Sequence, residues 1–159
     1  MTAPAEDVIS GCARWLRADA ELAALVGTDP LGAPMIVQDN APARADFAQS
    51  VCLVISHAGP AAGNEHNTYE QVRIQVEFWS DALRDAAGDV DEAPSGARQR
   101  MVRAYWALDR RLHRPQGGTQ MWGSVCTTDC TRLSGLNPYQ VPGADGLWRG
   151  TAFYAVGLG

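Results

Sequence analysis

Lysine is absent from this chain: all 13 basic residues among its 159 are arginine, set against 18 acidic residues. Schiff-base catalysis needs a lysine amine, so pyridoxal-type and lysine-dependent aldolase chemistries are excluded. A Walker-type phosphate loop is excluded with them, because its lysine cannot be supplied. Positive charge is scarce altogether. The formal charge of −5 and an isoelectric point near 5.0 argue against a general nucleic-acid binder, which carries a basic footprint. They leave room for nucleic acid that passes an acidic wall without sticking. Long apolar runs are missing too, and no segment approaches the roughly 18–20 residues of a membrane span. Met1–Gly11 has no cationic start and carries acids where a secretion signal needs arginine, so the expectation is synthesis in a reducing cytoplasm. Neither GxSxG, HExxH nor GxGxxG occurs.

What is present fits one globular domain over residues 1–159: 46% of the chain is hydrophobic and 19% charged. Val8, Ile9, Cys12, Trp15 and Leu16 share one face of a helix over about 5–18, with Thr2 as its cap. Asp19 caps a short helix, Ala20–Val26, which Gly27 closes. Strands follow at Met35–Asp39 and Val51–Ser56, the latter apolar on both faces. In Tyr69–Trp79, Val72, Ile74, Val76 and Phe78 point one way, and Arg73, Gln75 and Glu77 the other. The polar stretch His57–Thr68 reads as a hairpin tip. After a loop, Ser80–Pro94, Met101, Tyr105, Leu108 and Leu112 mark the apolar stripe of a helix over Ser95–Arg114. Two strands, Gln120–Leu133 and Leu147–Leu158, complete the order around the loop Ser134–Gly146. Helices covering one side of such strands make an α+β fold. Its mostly antiparallel or mixed sheet of four to five strands carries two main helices and one short one.

Candidate chemistry is thin. Cys126 and Cys130, spaced as CTTDC, share a strand face but lie about 13 Å apart unless the strand bulges, too far for a disulfide or a shared metal. Zinc needs a second ligand pair that the sequence does not supply. A dyad of Cys52 and His57 is conceivable, but Cys52 sits in an apolar strand where a thiol is inert. His66, beside Glu65, reads as a surface loop histidine. No catalytic, cofactor or metal site is assigned.

Charge patterning carries more. Arg98, Arg100, Arg103, Arg110 and Arg111 lie off the apolar stripe of the second long helix, whose aromatics the stripe absorbs. The preceding loop holds Asp81, Asp85, Asp89, Asp91 and Glu92. Arginine suits protein interfaces because its planar fork pairs with carboxylates. The strand over 69–79 would span about 36 Å, roughly twice the usual length, so its far end is expected to project. The interface candidates are therefore Arg73, Gln75, Glu77, Asp81, Asp85, Arg98, Arg110 and Arg111.

Several segments in order resemble the lambda-type tail terminator family of long-tailed phages. They are LRADAELAALVG (Leu16–Gly27), VQDNAP (Val37–Pro42), EQVRIQVEFWSD (Glu70–Asp81), RMVRAYWALDRRLHR (Arg100–Arg114) and DGLWRGTAFYAVGL (Asp145–Leu158). The segment Cys126–Gly146 is longer and richer in proline than the family's. The resemblance implies a non-enzymatic virion protein: a hexameric ring, assembled in the host cytoplasm, that caps the tail tube and ends its polymerisation. Its implied partners are copies of itself, the tail tube protein and the head-completion or neck protein. Genome DNA would cross the lumen without specific binding, and no membrane is involved. Some relatives need magnesium to assemble, but no ligand set is defined here. Two alternatives are a neck connector of related fold and, in a different class, a small hydrolase or thiol enzyme using Cys52 or Cys126 with a histidine.

Overall fold

The computed structural model describes residues 5–58, 70–93 and 95–159; the expected Thr2 cap, the hairpin tip from 59 onward and Tyr69 lie outside them. Helix α1 (Ala5–Arg17) buries Val8, Ile9, Cys12, Ala13 and Leu16 along one stripe. Helix α2 (Ala20–Leu25) begins where the Asp19 carboxylate accepts a hydrogen bond from the Leu22 N–H at 3.2 Å, as a side-chain cap does. Gly27 serves a different purpose from the expected helix stop. Val26 ends α2 in an extended conformation, and a Cβ on Gly27 would lie 2.3 Å from Ser50 Oγ, so glycine is needed there for space. Helix α3 (Gly96–Leu112) buries Met101, Tyr105, Leu108 and Leu112, the stripe read from the sequence.

Among the described residues the sheet has seven strands, not four to five. They are β1 (Ile36–Gln38), β2 (Val51–His57), β3 (Glu70–Asp81), β4 (Gln120–Trp122), β5 (Val125–Ser134), β6 (Tyr139–Gln140) and β7 (Leu147–Leu158). Their order is β1-β2-β3-β7-β5-β4, with β6 on β7; β1 and β2 run parallel and every other pair antiparallel. Two local features raise the count. Gly123, at φ 62°, makes a two-residue turn with Ser124, so the expected strand 120–133 is a hairpin. Within the expected loop 134–146, Tyr139 and Gln140 pair with Arg149 and Trp148.

The expected projection of the long strand is also corrected. β7 is as long as β3 and pairs with it from Glu70↔Leu158 to Asp81↔Leu147, while β2 covers its other edge over 74–80. Asp81, at the far end, is buried. A second long strand, rather than an outside partner, supplies the missing cover.

All three helices lie on one face, over Leu53, Ile55, Ile74, Val76, Phe78, Tyr154 and Val156. The sheet curls so that α1 touches both β1 and β4. There the Arg111 guanidinium stacks over Trp15 at 4.6 Å, and Trp15 stacks on buried Trp122 at 5.5 Å, joining α3, α1 and β4. Among the described residues the opposite face is covered over one end only. A one-turn 3-10 helix (Arg44–Phe47) and the 141–147 turn enclose Met35, Phe47, Cys52, Val54 and Leu147.

Candidate assembly surfaces

Beyond that end, where Trp79 packs on Phe47 at 6.3 Å, no helix among the described residues covers the outer face of the sheet. Strand alternation puts Arg73, Gln75, Glu77 and Trp79 of β3 beside Arg149, Thr151 and Phe153 of β7. Glu77 organises this face. Its carboxylate accepts hydrogen bonds from Gln75 Nε2 at 3.0 Å and Trp79 Nε1 at 3.1 Å, and pairs with Arg149 at 3.3 Å. Arg149 also stacks over Trp79 at 4.8 Å. The result is a polar patch whose Gln75, Glu77, Trp79 and Arg149 side chains already hold one geometry. Next to it a groove of about 400 Å³ runs between Thr151, Phe153, Ser134 and half-exposed Tyr139.

The remaining candidates divide by what holds them. Asp81 is a clamp within the chain: it accepts from Arg44 Nε at 2.9 Å, Arg44 Nη2 at 2.6 Å and the Gln49 N–H at 2.9 Å, pinning residues 44–49 to the end of β3. Asp85 is exposed, and its carboxylate shapes the tip of the loop by accepting the N–H groups of Ala87 and Asp89. Arg110 pairs with Glu21, and Arg111 approaches Asp19 at 3.6 Å while covering Trp15. Arg98 is exposed. The structure therefore gathers Arg73, Gln75 and Glu77 on one face, and scatters the other five among the buried end of β3, the loop, the start of α3 and its junction with α2.

Two interactions fix the acidic loop to α3. Arg100 grips Glu92 in a bidentate pair at 2.6 and 2.7 Å and donates to the Asp81 carbonyl at 2.8 Å. Glu92 also accepts the Leu83 N–H, and Arg100 is the chief cause that holds its carboxyl below the usual range. Three of the loop's carboxylates, Asp85, Asp89 and Asp91, face solvent, with Leu83 among them at 41% exposure.

The outward face of α3 was misread in one respect. Tyr105 belongs to the buried stripe, but Trp106 does not; it is 49% exposed. Together with Arg98, Val102, Tyr105, Leu136 and Pro138 it lines a groove of about 200 Å³. The signal was in the spacing: Arg98, Val102 and Trp106 recur every four residues, outside the register of Met101, Tyr105, Leu108 and Leu112.

Among the described residues the Cys52–His57 dyad finds no geometry, and His66 lies outside them. Cys52 pairs across from Trp79 and His57 from Ile74, so the two side chains leave opposite faces of the sheet. Burial, and then Glu77, push the Cys52 thiol up to about 12; burial does the same for Cys130, to about 12, and raises Cys12. The CTTDC pair is separated further by a bulge between Thr127 and Asp129. It leaves Cys130 buried on the helix face and Cys126 half-buried on the other, correcting the shared face expected for an unbroken strand. Among the described residues no group of three His, Cys, Asp or Glu side chains could hold a metal ion. No helix of the described residues is long and apolar enough to cross a membrane.

No family model and no curated protein matches the chain. Its fold does match a solved structure: a chain in the virion of a native gene transfer agent particle, with a TM-score of 0.60 and 18% identity. The match covers 95% of this chain and 93% of that one. The shared element order is therefore essentially end to end.

Proposed function

We propose that this protein is a structural component of a phage-like virion, acting at the tail as a ring that caps the tail tube. In that position it ends tube polymerisation and offers the head-joining surface. The observation that carries the reading is the end-to-end likeness of fold to a chain of a gene transfer agent virion. The finer assignment to the tail terminator rests on the ordered resemblance of five segments, from Leu16–Gly27 to Asp145–Leu158.

The surfaces suit such a role physically. A sheet with helices on one side presents a prearranged face on the other, and Glu77 holds its polar groups in place before any partner arrives. We assign this face, with Arg73 and Gln75 at its open end, to the tube protein. A net charge of −5 keeps duplex DNA from adhering while it crosses the lumen. Copies joined head to tail close into a ring when the rotation between them divides a full turn, and a hexamer is the expected number.

The test is native mass spectrometry of the purified chain with and without tube protein, together with tube lengths by electron microscopy. The expected result is a ring that binds tube ends and shortens the tubes. A strictly monomeric species that leaves tube length unchanged sinks the proposal. Binding to a portal-side ring instead of tube ends would transfer the chain to the neck.

A further inference from the structure

On the outward face of α3, Arg98, Gln99, Val102, Arg103, Trp106 and Arg110 form one continuous strip. Arginine and tryptophan are the side chains most enriched where interfaces concentrate their binding energy. Arg110 is occupied by Glu21, and Arg100, on the adjoining side, by Glu92. Arg98 and Arg103 have no carboxylate within ion-pair distance among the described residues. Arg98 lines the Trp106 groove, closed on the far side by Leu136 and Pro138, and Arg103 lies one turn before Trp106 on the exposed side of the helix.

The matching chemistry lies on the same chain. The loop before α3 carries at its tip exposed Asp85, Asp89 and Asp91 with Leu83, its one large exposed apolar side chain, among them, while its Arg84 is engaged by Asp81 and the Gly88 and Asp145 carbonyls. Within the chain this tip does not reach Arg98 or Arg103. It is also held rigidly to the start of α3 by the Glu92–Arg100 pair and by Leu83 N–H to Glu92, so tip and groove keep a fixed relation. Two complementary surfaces, rigidly joined and unable to meet in one copy, define a head-to-tail contact.

We propose that the Trp106 groove receives the Leu83–Asp91 tip of a second copy of this chain. Arg98 and Arg103 meet the tip's carboxylates, and Leu83 covers the apolar floor at Val102 and Trp106. The proposal rests on the ring reading above and specifies which surfaces make the ring. Duplex DNA is the competing occupant of an arginine face, and the same acidic tip at the head of α3 repels it.

Charge reversal tests the contact. Arg98→Glu with Arg103→Glu inverts the groove; Asp89→Arg with Asp91→Arg inverts the tip. Each double variant of the full chain, followed by sedimentation velocity over a concentration series, should associate roughly 30-fold more weakly than the parent. Trp106→Ala should weaken association similarly without altering charge. An equimolar mixture of the two double variants should assemble again, because every tip then finds a groove of opposite sign. All variants should keep the parent's circular dichroism and melting temperature.

Variants that assemble like the parent overturn this contact and leave the ring reading intact. Weakened variants that stay apart when mixed also overturn it, since tip and groove then do not meet. Groove variants that lose duplex DNA binding but keep self-association assign the face to nucleic acid instead. A parent chain that is monomeric at every concentration and leaves tubes uncapped removes both the contact and the ring.

Discussion

On the helix side of the sheet, a carboxylate is sealed in: Asp109 of α3, 6% exposed, accepts from Tyr154 Oη at 2.8 Å and from Arg132 at 2.9 Å. On the open side, Glu77 gathers the same kinds of partner, an arginine and an aromatic donor, within reach of solvent. The difference lies in what each network is bound to. Asp109 ties α3 to β5 and β7, so its partners come from elements that must pack together for the fold to exist. Glu77 ties side chains of two strands that the backbone ladder already joins. It adds little cohesion and instead fixes the shape of a surface. Topology more than burial separates the two, since the Asp109 and Glu77 side chains are 9% and 16% exposed: one network ties packed layers together, the other shapes a surface within one ladder.

Substitutions should expose that contrast. Trp122→Ala removes a fully buried indole from the helix side, along with the stack on Trp15. It should cost about 3–5 kcal/mol in denaturant unfolding. Asp109→Ala strands the Tyr154 hydroxyl and Arg132. Because the Arg132 side chain is a third exposed, water takes up part of the loss, and about 2 kcal/mol is expected. Asp109→Asn, which keeps one acceptor, should recover part of it.

Acid should act on the fixed loop next. The Glu92 carboxyl is held low in the folded state, so its contribution to stability is complete above the ordinary glutamate range and is lost as pH falls through its depressed folded value. Between about pH 5 and 3 the parent should lose more stability than Glu92→Gln, measured by urea midpoints across that range. The smallest effect belongs to the open face. Gln75→Ala and Thr151→Ala should stay within about 0.5 kcal/mol of the parent's stability. A loss of more than 1 kcal/mol from either would show that the open face is structural after all.

Much of the frame was legible because its signals are local. The stripe of α1, the Asp19 cap and the alternation of β3 each follow from residues within a turn or two of one another. What escaped depends on pairs far apart in the chain. Nothing near Asp81 announces that Arg44, 37 residues earlier, will bury it, or that α2's Glu21 will occupy Arg110. The bulge after Thr127 puts Cys126 on the other side from Cys130, and Gly157 on the neighbouring strand leaves the room that the Asp129 and Thr128 side chains occupy. A Cβ there would lie 2.1 Å from Asp129 Oδ1. Trp106 escaped for a simpler reason: an aromatic on an amphipathic helix reads as core until its angle to the stripe is counted. The interface residues inferred from charge kept their sequence neighbours but not their freedom, since folding consumed several of them internally.

Helix α1 lies against β1, formed early in the chain, and against β4, formed late. The carbonyl of Trp122 approaches Gly11 so closely that a Cβ would sit 2.3 Å from it. During synthesis, then, β1, β2 and α2 are at hand to shelter most of the first helix, but more than a hundred residues must follow before Trp122 arrives to close the rest of its burial site. Until that moment the apolar stripe of α1 has only a partial shelter, and completing the core waits on contacts far apart in the chain.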